Sequence, residues 1–239
     1  MTAPLPTAPD HADRVAALVA ALRSHRSTAV VCTSLLAAAG AIDGVGLTVF
    51  TTAGRFVVGT AGVPSDRVED LQITLDQGPC MDAYDGGEPV LADDLTDDEA
   101  VRRWPKFAAQ AVTAGVRGVF AFPVLLDGRP VAVLSLCRTT PGGLSPGDYQ
   151  HAVTHAAAAA VLLHDDANAS DAESLGAAVE PAAADLQQAT GMVMVQADVD
   201  ATTALHRLRA HAFAHDRPVH DIVAEILGRR LRFDPAAAS

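Results

Sequence analysis

The stretch VRGVFAFPVLL-DGRP-VAVLSLCR (116–138) constrains the fold of this chain more than any other. Two apolar runs meet at Asp127–Gly128, which reads as an antiparallel hairpin with a tight turn. A second pair stands earlier: VGLTVF (45–50) and RFVVGT (55–60), joined by a short glycine-containing turn at 52–54. One further strand is expected in EPVLADDL (88–95). Helical text separates these runs. Residues 12–41 carry an apolar stripe, with Val15, Leu18, Val19 and Leu22 at three- and four-residue steps. Residues 64–75 read as helix with Ser65 as N-cap, residues 102–115 as mostly helix, and residues 145–166 as a long helix with Pro146 near its first position. Asp76-Gln77-Gly78-Pro79-Cys80 reads as a turn. Hairpins with helices set to the side imply an α+β fold, one antiparallel sheet carrying packed helices. Hydrophobic residues make up 49% of the chain but aromatics only 4%, so alanine, valine and leucine must fill this core.

The text changes at residue 166. ANASDAESLGAAVEPAAA (167–184) is small, polar and acidic, and reads as a linker, in part helical. Three short helical texts follow, over 182–196, 201–214 and 218–231. Ala201, Ala204, Leu205, Leu208 and Ala212 form one stripe; Val219, Ile222, Val223, Ile226 and Leu227 form another. Burying three such stripes together makes an all-α three-helix bundle the simple solution. The expected organisation is a tail (1–11), a first domain (12–165), a linker (166–180), a helical domain (181–233) and a tail (234–239).

The helical domain carries the sharpest motif. Leu186, Ala189, Gly191 and Met194 in the first helix, Ala204, Leu208, Arg209 and Ala212 in the second, and Val219 and Ile222 in the third together resemble the ANTAR domain. The resemblance implies an RNA-binding transcription antiterminator that stabilises hairpins in nascent transcripts. The candidate RNA-binding residues are then Gln188, Thr190, Gly191 and Arg209, with the bunched Arg217, Arg229, Arg230 and Arg232 as looser candidates for phosphate against a solvated basic end. The chain departs from the family pattern at Thr190, where the family has lysine, and at Val223 and Ala183. Gly191, with Ala189, is expected to let the first helix approach its neighbours closely, with Met194 in the core. A glycine inside a helix costs about 1 kcal/mol relative to alanine, so some such return is required.

The first domain resembles a GAF domain of the type that precedes ANTAR domains. The resemblance rests on LDQGPCMDAY, DDL, RRWPKFA, GVRGVFAFPV, DGRPVAVLSL and the alanine-rich helix after them. It implies a sensory fold that holds a small ligand, with Cys80, Asp93 and Trp104 as candidate ligand contacts. Some GAF-fold proteins reduce free methionine sulfoxide with three cysteines, and this chain has Cys32, Cys80 and Cys137. No basic residue adjoins Cys80, and Asp76 and Asp82 disfavour its thiolate, so a space-filling thiol is the simpler reading. A thiol redox enzyme, or a ligand-binding module whose bundle docks protein, are the alternatives to the regulator. His151 and His155 have a metal-pair spacing without a third ligand near in sequence, and read as solvent-facing. No P-loop, zinc finger or Ser–His–Asp arrangement is recognisable, and no catalytic residue or metal site is expected; any cofactor is unknown. Lys106 is the only lysine and opens a helix, which disfavours the phosphorylated receiver chemistry often found before ANTAR domains.

Charge sets the last bound. The chain carries −12, which disfavours phosphate binding overall. Residues 181–239 hold six arginines against seven acids, so this segment is close to neutral with its basic groups bunched. No apolar run reaches the roughly 20 residues of a membrane span, and the start reads as no secretory signal. Three unpaired cysteines fit a reducing compartment, so the expectation is a cytoplasmic homodimer, joined through the long helices of the first domain.

Overall fold

The computed structural model describes residues 10–23, 28–52, 54–168, 175–215 and 217–234. The chain runs α1 (His11–Leu22), α2 (Val30–Ala38), β1 (Gly44–Thr51), β2 (Gly54–Ala61), α3 (Ser65–Leu75), α4 (Pro79–Gly86), β3 (Val90–Ala92), α5 (Asp98–Arg103), α6 (Pro105–Thr113), β4 (Gly118–Leu126), β5 (Arg129–Arg138) and α7 (Pro146–Asn168). Three helices follow: α8 (Leu175–Ala197), α9 (Ala201–Ala214) and α10 (Val219–Leu227). The five strands form one antiparallel sheet in the order β2-β1-β5-β4-β3.

Strand alternation sorts the side chains onto two covered faces. Val45, Leu47 and Val49 of β1, Phe120, Phe122 and Val124 of β4, and Ala132, Leu134 and Leu136 of β5 pack under α1, α2 and α7. On the other face, Val119, Ala121, Val133 and Cys137 meet α3, α4 and α6. Small residues let α7 lie close to the sheet: Ala152, Ala158 and Ala159 are fully buried. The start of α7 is fixed by a reciprocal pair, in which the Asp148 N–H donates to Ser145 Oγ (3.0 Å) and that hydroxyl donates to the Asp148 carboxylate (2.8 Å).

Several boundaries differ from the expectation. Ser65 opens α3 as its first helical residue while Pro64 holds the cap position, and the Ser65 hydroxyl donates instead to the Gly62 carbonyl. The single helix over 102–115 is two, because Pro105 excludes its predecessor Trp104 from helical geometry (φ −132°, ψ 62°). The strand in 88–95 shortens to three residues. The turn at 76–80 launches α4, with Gly78 at φ 131° and Pro79 at N1. A Cβ at Gly78 would stand 2.8 Å from Gln72 Oε1. His155, expected in solvent, is 3% exposed and bonds through its ring nitrogens to the His151 carbonyl and Ser34. Of the linker, residues 169–174 lie outside the described residues, and α8 begins at Leu175.

The last three helices share one core. Ala189, Val193, Ala204, Leu208, Ala212, Ile222 and Ile226 are buried together, with Met194 partly buried against them. Asp200 caps α9 by accepting the Thr203 N–H at 2.7 Å. This arrangement is compatible with the three-helix bundle. It contacts the rest of the chain at β2, α3 and α7.

Candidate functional site

The candidate RNA residues divide between two surfaces. On the outer face of α8, Gln188, Gly191, Met192, Val195 and Gln196 face Arg229 and Arg232 across a groove of about 560 Å³. Gly191 forms part of its wall: a Cβ added there meets nothing within 4 Å. Close packing is therefore not why this helix carries a glycine, and that expectation is corrected. Ala189, fully buried, is the small residue that serves the core. Val195 lies on the same groove and is 85% exposed. Arg229 has φ 56°, in the left-handed region that costs a side-chain-bearing residue about 1 kcal/mol or more. Arg230 folds back over the end of α10, where its guanidinium would clash with any Cβ at Gly228.

Other arginines are engaged within the protein. Arg217 pairs with Glu225 at 3.0 Å and with Asp221 at 3.8 Å. Thr190 is half-buried and its hydroxyl donates to the Leu186 carbonyl one turn back (2.7 Å). Arg209 is placed far from the expectation of an open RNA contact. Its side chain is 11% exposed and its guanidinium pairs with Asp76 at 3.3 Å. The same Asp76 carboxylate takes the guanidinium of Arg55. Asp76 caps α3 in the left-handed conformation (φ 54°), which aspartate tolerates better than most residues. A cleft of about 530 Å³ adjoins this triad, lined by Phe56, Val58, Ile73, Leu186, Leu205 and Val223 among others.

The expected ligand contacts of the first domain are not brought together in one cavity. Trp104 is 3% exposed, packed with Phe107 and Val119, and its Nε1 donates to Asp82 at 3.1 Å. Asp93 is exposed, and its carbonyl accepts the Gly142 N–H. Cys80 is fully buried, and its N–H donates to Gln72 Oε1 at 2.8 Å. Burial, then the proximity of Glu69, pushes the Cys80 thiol well above its ordinary range. The same two causes push Cys32 and Cys137 up to about 12.

What Cys80 adjoins is a polar cluster that sequence reasoning missed. Glu69 of α3 is 1% exposed and its Oε2 accepts the Thr48 hydroxyl at 2.6 Å. Its Oε1 is buried without a hydrogen bond, as are Gln72 Nε2 and Ser135 Oγ. Ser135 of β5 stands opposite Gly46 of β1, and a Cβ at Gly46 would stand 2.6 Å from Glu69. Glycine at 46 thus makes room for the carboxyl. Burial raises Glu69 to about 7, against the lowering effect of Thr48 and the nearby Ser135. In the sequence Glu69 looks like any helix-surface acid; only the pairing of β1 with β5 reveals its setting. Among the described residues no group of His, Cys, Asp and Glu is placed to hold a metal ion. Among them no helix is long and apolar enough to cross a membrane.

Comparison with known structures agrees with the sheet and its helices. The GAF domain from a phosphoenolpyruvate-protein phosphotransferase of Coxiella burnetii superposes with a TM-score of 0.50 at 13% identity, over 66% of this chain and 94% of that one. A type II free methionine-R-sulfoxide reductase from Thermoplasma acidophilum gives a TM-score of 0.46 at 18% identity, over 62% of this chain and 96% of that one. A free methionine-R-sulfoxide reductase from Neisseria meningitidis gives 0.45 at 16%, over 67% and 95%. At such identities the likeness concerns the fold alone. No curated protein matches the chain in sequence. The GAF domain family matches residues 25–164, more than half of the chain and the whole of the sheet. By that match, the chain belongs to the GAF domain family.

Proposed function

We propose that this chain is a signal-responsive RNA-binding regulator of transcription antitermination, with a sensory GAF domain and an ANTAR-like helical unit that contacts hairpins in nascent RNA. One observation carries the reading. Gly191 sits inside a helix, forgoes about 1 kcal/mol of helix stability, and makes no close packing contact in return. A bare backbone facing an open groove is what a partner that approaches α8 closely requires. The groove's chemistry suits a nucleotide: Arg229 and Arg232 for phosphate, Gln188 and Gln196 for base edges, and Met192 and Val195 for a base face. The left-handed Arg229 supports the same reading, since a strained residue beside a groove is a feature of working surfaces.

In this reading Arg209 serves the helical unit's placement, Thr190 bonds back onto its own helix, and the groove carries the first contact with RNA. Two copies of the chain, joined through α1 and α7, present two grooves to two hairpins, which multiplies a weak single contact. The input reaches the GAF domain as a small ligand or a redox change. The test is Gly191→Ala in the full-length protein. No atom stands within 4 Å to clash with the new methyl group, so the unfolding free energy is expected to rise by about 0.5–1 kcal/mol. Hairpin affinity is expected to fall about tenfold in the same variant, because the methyl group fills the approach. A variant that is more stable and binds RNA as well as the parent contradicts the proposal.

A further inference from the structure

We infer that Asp76 is a latch that docks the helical unit onto the GAF domain and withholds Arg209 from RNA in the docked form. This deepens the RNA-binding reading and rests on it. Three elements meet at one carboxylate. Arg55 comes from the edge strand β2, where its guanidinium also lies 5.6 Å from the centre of the Phe50 ring. Asp76 comes from the end of α3, and Arg209 from the middle of α9. One negative charge therefore holds two positive ones, one from each side of the junction. Burial is the main cause lowering the Arg209 pKa and Arg55 adds to it, while Asp76 opposes both. Without Asp76, the two guanidiniums would face each other unpaired across the junction and repel.

A second carboxylate of α3 faces the helical unit: burial raises the Asp70 pKa, while Arg67, Thr74 and, from α10, His220 and the Val219 N–H lower it. Leu186 of α8 leans on the β1–β2 turn, where a Cβ at Gly54 would stand 2.8 Å from its Cδ2. Beside it the cleft of about 530 Å³ stays open between β2, α3 and the three helices, so apolar packing does not seal the two units together. A junction with a cavity at its centre, and an arginine from each side held by the same carboxylate, is one that a change of charge at that carboxylate loosens. The two RNA-facing sides of the helical unit are then unequal. The Gly191 groove remains open in the docked form, with Gln188, Val195, Arg229 and Arg232 exposed. Arg209, at the junction with α3, is at 11% exposure and engaged. Undocking adds this arginine to the surface that RNA meets.

Asp76→Asn tests the latch, because asparagine removes the charge and accepts the left-handed cap. In the full-length variant, amide hydrogen exchange across β2 and α9 is expected to rise about fivefold or more, with hairpin affinity rising by a similar factor. Arg209→Lys, which keeps the charge but loses the forked geometry, is expected to raise exchange at the same amides by a smaller factor. Exchange unchanged in both variants overturns the latch, whatever RNA does. Faster exchange with unchanged hairpin affinity overturns the withholding of Arg209. If exchange rises but neither wild type nor variant binds any hairpin, docking through Asp76 is upheld and the RNA-binding reading falls instead.

Discussion

Buried polar and thiol groups decide the chemistry of this chain at the scale of single residues. Cys32, Cys80 and Cys137 are 0%, 0% and 2% exposed, and each is held in its protonated form by burial and by Glu69. A thiol attacks as its thiolate, so all three are expected to stay unmodified when the native protein is mixed with an aromatic disulfide reagent at pH 8. Release of three equivalents of reporter only on unfolding agrees with this; fast release of one equivalent from the native protein contradicts it. Glu69 gives a pH signature. Its pKa in the folded protein is about 7, against 4.5 for the free group, so the folded state holds a proton that the unfolded state has lost. Below pH 4.5 both states are protonated and there is no penalty. Between pH 4.5 and 7 the penalty grows, and above pH 7 it is constant at roughly 3 kcal/mol. Glu69→Gln keeps the hydrogen-bonding shape and cannot ionise. Its urea stability relative to the parent is expected to improve by roughly that amount from pH 4.5 to pH 8. A stability difference that is flat with pH shows that Glu69 does not titrate as described.

Elements with strong periodicity were legible from the sequence. α9 occupies 201–214 as expected, and Ala204, Leu208 and Ala212 are its buried stripe. The β4–β5 hairpin turns where Asp127–Gly128 predicts, with both residues at positive φ (50° and 75°). Leu208→Ala is therefore expected to destabilise the helical unit by about 2–5 kcal/mol, read as the loss of slow-exchanging amides in α8, α9 and α10 while those of β4 and β5 stay slow. Loss of protection across the sheet as well would mean that the two units fold as one. What was not legible depends on partners distant in sequence. Gly191 looked like a packing glycine because an isolated helix text cannot say which face its neighbours cover. Arg209 looked like a surface arginine because Asp76, 133 positions earlier, is only its neighbour in space. α4 is not legible because PCMDAYDG is only about two turns of helix text behind a strong breaker, and its buried face is set by the sheet.

Over the whole molecule, charge has to be reconciled with an RNA partner. A chain of net charge −12 repels a polyanion at long range, so binding must be local and must rest on few phosphates. The groove beside Gly191 meets that condition, since Arg229 and Arg232 are exposed there and neither is described in an ion pair. Hairpin affinity of the full-length protein, measured as a function of salt, tests this account most directly. The logarithm of affinity is expected to fall with the logarithm of salt concentration, and the double variant Arg229→Ala, Arg232→Ala is expected to reduce that slope by about 1.5–2 while melting as the parent does. A hairpin affinity that ignores salt, or a slope that the double variant leaves unchanged, would contradict it.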